Sequence, residues 1–192
     1  DTPKLLEEAF RLRYTVLCIE ARIPGFEAAH YPDGMETDDD DRHAHHILLK
    51  HRPSGHFIGG SRLIFPDPAN PAKLFPLEQY AQIDPALIDI SKLLRQHTVE
   101  ISRFITLGEF SRRGEERRRS ENWVSEEKRY PSDRRHFPPA LAITVGVIRM
   151  CVQKGITHWL SAMRPALNRL LGNYGLHHDP IRPLVAHHGP RR

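Results

Sequence analysis

A single-domain α/β (α+β) fold is predicted for this chain, a three-layer α/β/α sandwich around a mixed, mostly antiparallel central sheet. Three observations carry the prediction: an amphipathic helix at the start, three strand-like runs before residue 108, and a helix, strand and helix in succession after residue 139. A front hairpin followed by a β-α-β crossover requires both antiparallel and parallel pairing. At 192 residues and 22.2 kDa, residues 1–192 suffice for one core without disulfide or metal staples.

Thr2-Pro3 supplies an N-cap and a first helical residue, after which Leu5, Leu6, Ala9, Phe10, Val16, Leu17 and Ile19 keep helical spacing to about Arg22. Ile23-Pro24-Gly25 ends that helix and opens a loop-like stretch to Arg42, with Pro32-Asp33-Gly34 as a turn. His46 to His51 and Phe57 to Phe65 flank Pro53-Ser54-Gly55 and read as a β-hairpin. Pro66 to about Ile90 is a loop holding a short helical piece at Leu77 to Ala81, and Thr98 to Leu107 is a third strand. Gly108 to Pro139 is a polar excursion dense in Arg and Glu, longer than compact domains use without a purpose. Ala140 to Lys154 is a helix apolar on most sides and therefore central; Gly155 stops it. Thr157 to Ala162 is a short strand, and Pro165 to Asn173 is a last helix closed by Gly175. The tail after Leu176, rich in His, Pro and Arg, offers no obvious closing strand.

Hydrophobic content of 39%, charged content of 27% and a mean hydropathy of -0.52 describe a globular protein. The longest largely apolar run, Ala140 to Ile148, falls far short of the roughly 20 residues that span a bilayer, so no transmembrane segment is expected. Cys18 and Cys151 sit in apolar helical patterns outside any C-x-x-C and read as small buried hydrophobes, which points to a reducing, cytoplasmic setting. The formal charge of +4 suits an anionic partner, whether nucleic acid, membrane, phosphate-bearing cofactor or acidic protein. No P-loop, G-x-G-x-x-G, G-x-S-x-G or H-E-x-x-H is present, which removes the residues that nucleotide hydrolysis, dinucleotide binding, hydrolase elbows and zinc peptidases require. Trp123 and Tyr130 offer stacking surfaces, yet no nucleic-acid fold pattern surrounds them, so no nucleic acid is expected.

Ionisable residues interrupt the apolar patterns at Arg13, at Arg62, and at Glu100 and Arg103, with Glu36, Asp38 and Asp41 between them in sequence. Arg62 follows Gly59-Gly60 in a strand made for burial, and a buried guanidinium requires a carboxylate; Glu36, Asp38 and Glu100 are the candidates. The run Glu36 to Asp41 packs five carboxylates into six positions but lacks the Gly and distal Glu of a calcium loop. His43-x-His45-His46 has no second ligand cluster nearby, so no metal is expected. A regular strand puts Glu100, Ser102 and Phe104 on one face and Arg103 on the other. Glu100 and Arg103 share a face only across a β-bulge, a feature favoured beside active sites; the alternative is an ordinary edge strand with solvated charges.

Arg13-Tyr14-x-Val16-Leu17, Glu36-x-Asp38-x-x-Asp41, Gly60-x-Arg62-Leu63 and Glu100-x-Ser102-Arg103-Phe104 together resemble the acyl-homoserine-lactone synthase branch of the GNAT acyltransferase superfamily. Cys18-x-Glu20 and the histidine-rich strand after the acidic run are similar, more narrowly, to acyltransferases associated with bacterial PEP-CTERM/exosortase systems. The resemblance implies a GNAT-like sandwich that moves an acyl group from an acyl carrier protein (acyl-ACP) or coenzyme A (acyl-CoA) thioester to a small-molecule amine, with no metal. It implies Glu100 as the base, acting through water, with Glu36 and Asp38 helping to hold or deprotonate the cationic amine. Arg13, Arg62 and Arg103, with Asp41 and Phe104, would organise the carboxylates and substrates. A linked expectation is that the basic excursion, Arg117, Arg118 and Arg119 above all, docks the acidic carrier protein. Leu17 stands where the family has an aromatic, and Ile23 or thereabouts where it has a tryptophan; both line the S-adenosylmethionine site in autoinducer synthases. These departures favour an N-acyl amino acid or another acylated amine as product. The family's last strands have no counterpart in the tail. The rival reading is a non-catalytic acyl- or ligand-binding, or nucleic-acid-binding, module on the same fold.

Overall fold

The computed structural model describes residues 2–111 and 138–181, together with the backbone of 185–186 and 190–191. Helix α1 spans Pro3–Tyr14, capped by Thr2, whose hydroxyl accepts the Leu5 N–H at 3.4 Å. The expected helix to about Arg22 is α-helical only this far and continues as a π turn over Thr15–Glu20. Here the Ala21 N–H bonds to the Val16 carbonyl, five residues back, and the Ile23 N–H reaches Leu17. Six residues of apolar spacing do not distinguish a π turn from an α turn. The wider turn packs Val16, Leu17 and Cys18 against Ile23 and Ile105.

Strands β1 (Ala44–Lys50) and β2 (Phe57–Ile64) form the antiparallel hairpin. Its glycines permit close approach: a Cβ on Gly60 would lie 2.5 Å from the Ile47 carbonyl oxygen, and one on Gly59 would lie 2.8 Å from that of Ile105. Helix α2 (Pro76–Tyr80) follows in the long loop, and β3 (Thr98–Thr106) pairs antiparallel with β2. Helix α3 (Pro139–Gln153) crosses back to β4 (His158–Ser161), which runs parallel to β3, and α4 (Pro165–Gly172) follows. The sheet order is β1-β2-β3-β4. Ile47, Leu63 and Val99 pack with Val147 and Cys151 of α3 on one face, while α1 lies against the other, so the layers are α/β/α with a mixed sheet. The tail forms a separate two-stranded pair, β5 (Val185–Ala186) with β6 (Pro190–Arg191); strands of two residues carry no period that a sequence reading can detect.

Two irregularities of β3 shape everything that follows. Gly60 pairs with Ile105 and Arg62 with Ser102, so one residue of β2 faces two of β3 and the strand bulges at Arg103–Phe104. Arg103 takes φ of 50°, in the left-handed region. The extra residue reverses the alternation: Ile101 packs with the α3 cluster, whereas Ile105, four residues on, packs with α1. On its other edge, β3 pairs with β4 only from Thr98 to Ile101, opposite His158 to Ser161, and then runs on to Thr106. The two parallel strands part company at that point.

Candidate active site

Three arginines and three carboxylates from four segments meet on the α1 face of the sheet. Arg13 lies on the inward side of the last turn of α1, where the spacing from Ala9 and Leu12 buries it. Its Nε donates to Glu36, and Nη1 and Nη2 grip Asp41 at 2.7 and 3.2 Å. The acidic loop is tied to α1 by the Glu36 N–H on the Phe10 carbonyl, and Asp38 caps its 3₁₀ turn, Asp39–His43. Arg62 of β2 donates through Nη1 to Asp38 and to Asp41 at 2.9 Å, and through Nε to the Ser102 hydroxyl at 3.0 Å. Arg103 reaches the same group from the bulge, donating to Glu36 at 2.9 Å and to Asp38 at 2.7 Å, with its guanidinium 4.8 Å from the Phe26 ring. Without the bulge its side chain would leave from the opposite face.

This cluster is balanced in charge and largely buried. Glu36 is 0% exposed and Arg62 1%. Burial opposes the charged form of Asp41, but hydrogen bonds and charge from Arg13, joined by Arg62, outweigh it and hold its carboxyl at about 2. The same contest, won by Arg13 and then Arg103, lowers Glu36. Burial acts first on Arg13 and Arg62 as well, and their carboxylate partners reverse it and raise both. His46 stands edge-on to Phe10 with Nε2 3.6 Å from Asp41, beyond hydrogen-bonding range. Burial, then the charge of Arg13, pushes it down to about 4, so it is neutral near pH 7 and forms no ion pair.

Glu100 belongs to a different environment. It lines a cleft of about 630 Å³ that takes its wall from Leu17 and Ile23 on one side of the sheet and from Thr144 and Val147 of α3 on the other. A cleft lined from both faces passes through the gap where β3 and β4 diverge. Arg103 and Phe104 of the bulge also line it, whereas Arg13, Glu36, Asp38, Asp41 and Arg62 do not. Glu100 is 6% exposed, and its Oε2 accepts the Leu77 N–H at 2.7 Å. Burial pushes its carboxyl up to about 7, against the pull of that N–H and of the Arg62 charge.

The expected site residues therefore fall into two groups: Arg13, Glu36, Asp38, Asp41, Arg62 and Arg103 in the cluster, and Glu100 and Phe104 in the cleft wall, which Arg103 also reaches. Arg117, Arg118 and Arg119, expected to dock a carrier, lie outside the described residues. The sequence reading missed Ser102 as a partner of Arg62, Phe26 beneath Arg103, and the Leu77 N–H on Glu100. Only Ser102 had a legible signal, its place between Glu100 and Arg103. Among the described residues no group of three His, Cys, Asp or Glu side chains is arranged to hold a metal ion. Both cysteines are buried free thiols, and no described helix is long and apolar enough to cross a membrane.

The mixed sheet loses its β4 partner beyond Ile101 of β3, and the largely apolar cleft lies at that opening. Residues 12–118, more than half of the chain, match the family model described as the acetyltransferase (GNAT) domain, and the chain belongs to that family. Its fold recurs in TofI, solved in a ternary complex with an inhibitor and MTA, at 15% identity over 100% of this chain and 82% of that one, with a TM-score of 0.63. BjaI, a CoA-dependent acyl-homoserine lactone synthase with SAM and isopentyl-CoA, aligns at 20% identity over 98% of this chain and 72% of its own, with a TM-score of 0.60. The AHL synthase LasI aligns at 17% over 100% and 81%, with a TM-score of 0.59. No curated protein sequence matches the chain.

Proposed function

We propose that this protein is an N-acyltransferase that moves an acyl chain from an acyl-ACP or acyl-CoA thioester to a small-molecule amine, with Glu100 as the base. The observation that carries the reading is a buried carboxylate, Glu100, in no described ion pair, its carboxyl pushed up to about 7 by burial, in the wall of an apolar cleft of about 630 Å³; Glu20, the other carboxylate of that wall, is exposed. An amine nucleophile is protonated at neutral pH and must lose a proton before it attacks, so a carboxyl poised near the working pH suits the task. The cleft has the volume of a ligand site and the apolar lining an acyl chain requires.

In the proposed reaction Glu100 takes a proton from the ammonium group, through water, and the freed amine adds to the thioester carbonyl carbon. Negative charge develops on the carbonyl oxygen, and backbone N–H groups of β3 beyond Ile101, where β4 no longer pairs, are the candidate donors to it. The C–N bond forms, the C–S bond breaks, and the thiolate leaves with the second nitrogen proton, giving an amide and a free thiol. Glu36, Asp38 and Asp41 hold the three arginines in register, and Arg103 and Phe104 shape the cleft beside the thioester. Asp38, partly exposed at 30%, is the member of the cluster able to meet a cationic acceptor. Leu17 and Ile23, aliphatic in the cleft wall, support an acylated amino acid or similar amine as product. Cys18-x-Glu20 and the strand beginning Ala44-His45-His46 support a place beside bacterial PEP-CTERM/exosortase systems, in the cytoplasm.

Expression in a bacterial host followed by mass spectrometry of the lipid extract tests the reading. An N-acylated amine that appears with the wild-type chain and vanishes with Glu100→Gln is expected. An unchanged lipid profile, or undiminished product from the variant, contradicts it.

A further inference from the structure

A second ion pair stands behind Glu100. Arg95 Nη1 donates to Glu78 Oε2 at 2.6 Å, and the same oxygen accepts the Phe75 N–H at 2.7 Å. The Arg95 guanidinium also covers the Phe75 ring at 4.8 Å, and Phe75, 3% exposed, is packed with Ile64 and Leu160. These attachments converge on the first turn of α2. Pro76 brings no N–H to that turn, so Leu77 is its next backbone donor, and its N–H is the one on Glu100 at 2.7 Å. A helix of five residues has no stability of its own and must be held from outside. The Glu78 side chain is 5% exposed and Arg95 26%, so this pair is part-buried rather than fully solvated.

We propose that Arg95 and Glu78 are positioning residues: their ion pair clamps α2 against β3, so that the Leu77 N–H aims the Glu100 carboxylate into the cleft while the turn keeps water from its back. The inference rests on the reading of Glu100 as the base, although the clamp itself can be tested without turnover. Other charges acting on Glu100 are Arg62 of β2, Asp40 of the acidic loop and Arg103 of the bulge, and none of them touches α2 through a hydrogen bond described above. Burial is the leading influence on Glu100 and outweighs the single N–H. Releasing α2 therefore admits water and makes the carboxyl a more ordinary acid.

The test is a ¹³C NMR titration of the side-chain carboxyls in protein labelled at glutamate, with the Glu100 signal assigned by its loss in Glu100→Gln. Wild type is expected to titrate near 7. In Arg95→Ala the midpoint falls toward the ordinary glutamate value, and turnover at saturating substrates drops about tenfold with the pH profile displaced in the same direction. Arg95→Lys, which keeps a cation for Glu78 and the Phe75 ring, restores both. A folded Arg95→Ala protein whose Glu100 midpoint stays where it was overturns the clamp, because a merely structural pair would lower stability without moving that titration. If the midpoint moves while Glu100→Gln retains full turnover, the clamp stands and the base assignment falls.

Discussion

Glu100 and Arg103 are three residues apart on β3, and the two regions they serve treat charge in opposite ways. Arg103 joins a cluster in which three guanidinium groups meet three carboxylates through paired hydrogen bonds. Glu100 sits in the cleft wall with one backbone N–H at 2.7 Å and no guanidinium hydrogen bond described for it. The outcome is a carboxyl held at about 2 in one region and another pushed up to about 7 in the other. A fully paired buried network is suited to holding segments in place; a buried group left short of partners is the one whose proton can be exchanged near neutral pH.

The comparison breaks most severely by removing one member of the cluster. Arg62→Met leaves Asp41 to Arg13 and Asp38 to Arg103 alone, with the buried cluster one positive charge short, and a loss of about 3–5 kcal/mol in urea unfolding is expected. Glu100→Gln is expected to do the reverse, lowering turnover by about 10²–10⁴-fold while leaving the fold intact. Its effect on stability has a sign fixed by linkage. Glu100 binds its proton more tightly in the folded chain, so its contribution to stability is present below the ordinary glutamate value and is lost as pH rises through about 7. At pH 8 the Gln variant should therefore be the more stable protein, by up to about 3 kcal/mol, as read by denaturant midpoints at pH 5 and pH 8.

Asp41 has the opposite sign. Its contribution is present above the ordinary aspartate value and lost as pH falls through about 2, so acid unfolding of wild type should steepen toward that limit, and Asp41→Asn should remove part of the slope. The smallest effect is expected two residues earlier. Asp39 belongs to the same acidic run but its side chain is 90% exposed, and it pairs with Arg42, itself 77% exposed, at 3.2 Å. Asp39→Asn should change stability by less than about 0.5 kcal/mol.

That last contrast shows where sequence reading stops. Glu36 to Asp41 is nearly uniform in composition, so its chemistry alone does not tell Asp41 from Asp39, and only the family resemblance singled out Asp41; the 3₁₀ turn capped by Asp38 makes the distinction physically by turning one carboxylate inward and the other to water. Arg62 in an apolar strand did announce a buried partner, because a guanidinium there has no other means of support, and two of the three candidate carboxylates lie in the cluster it joins. The strands and the α3 crossover were legible from period and punctuation to within a few residues. The bulge was legible as one of two alternatives, since Glu100 and Arg103 could share a face by no other geometry. The π turn and the role of α2 were not. The first spans six residues, too few for its wider period to separate from that of an α-helix, and the second depends on Arg95 meeting Glu78 across 17 positions that carry no periodic signal.

The central claim is that Glu100, the buried carboxylate of the cleft wall, held by a backbone N–H and in no described ion pair, is the base for acyl transfer. Its most direct test is the pH dependence of the acyl-transfer rate at limiting thioester, measured for wild type and Glu100→Gln with the amine identified from the lipid extract. The account predicts a wild-type rate that rises with pH through about 7 and levels off, and a residual rate in the variant without that limb. The same rising limb in both proteins would contradict it.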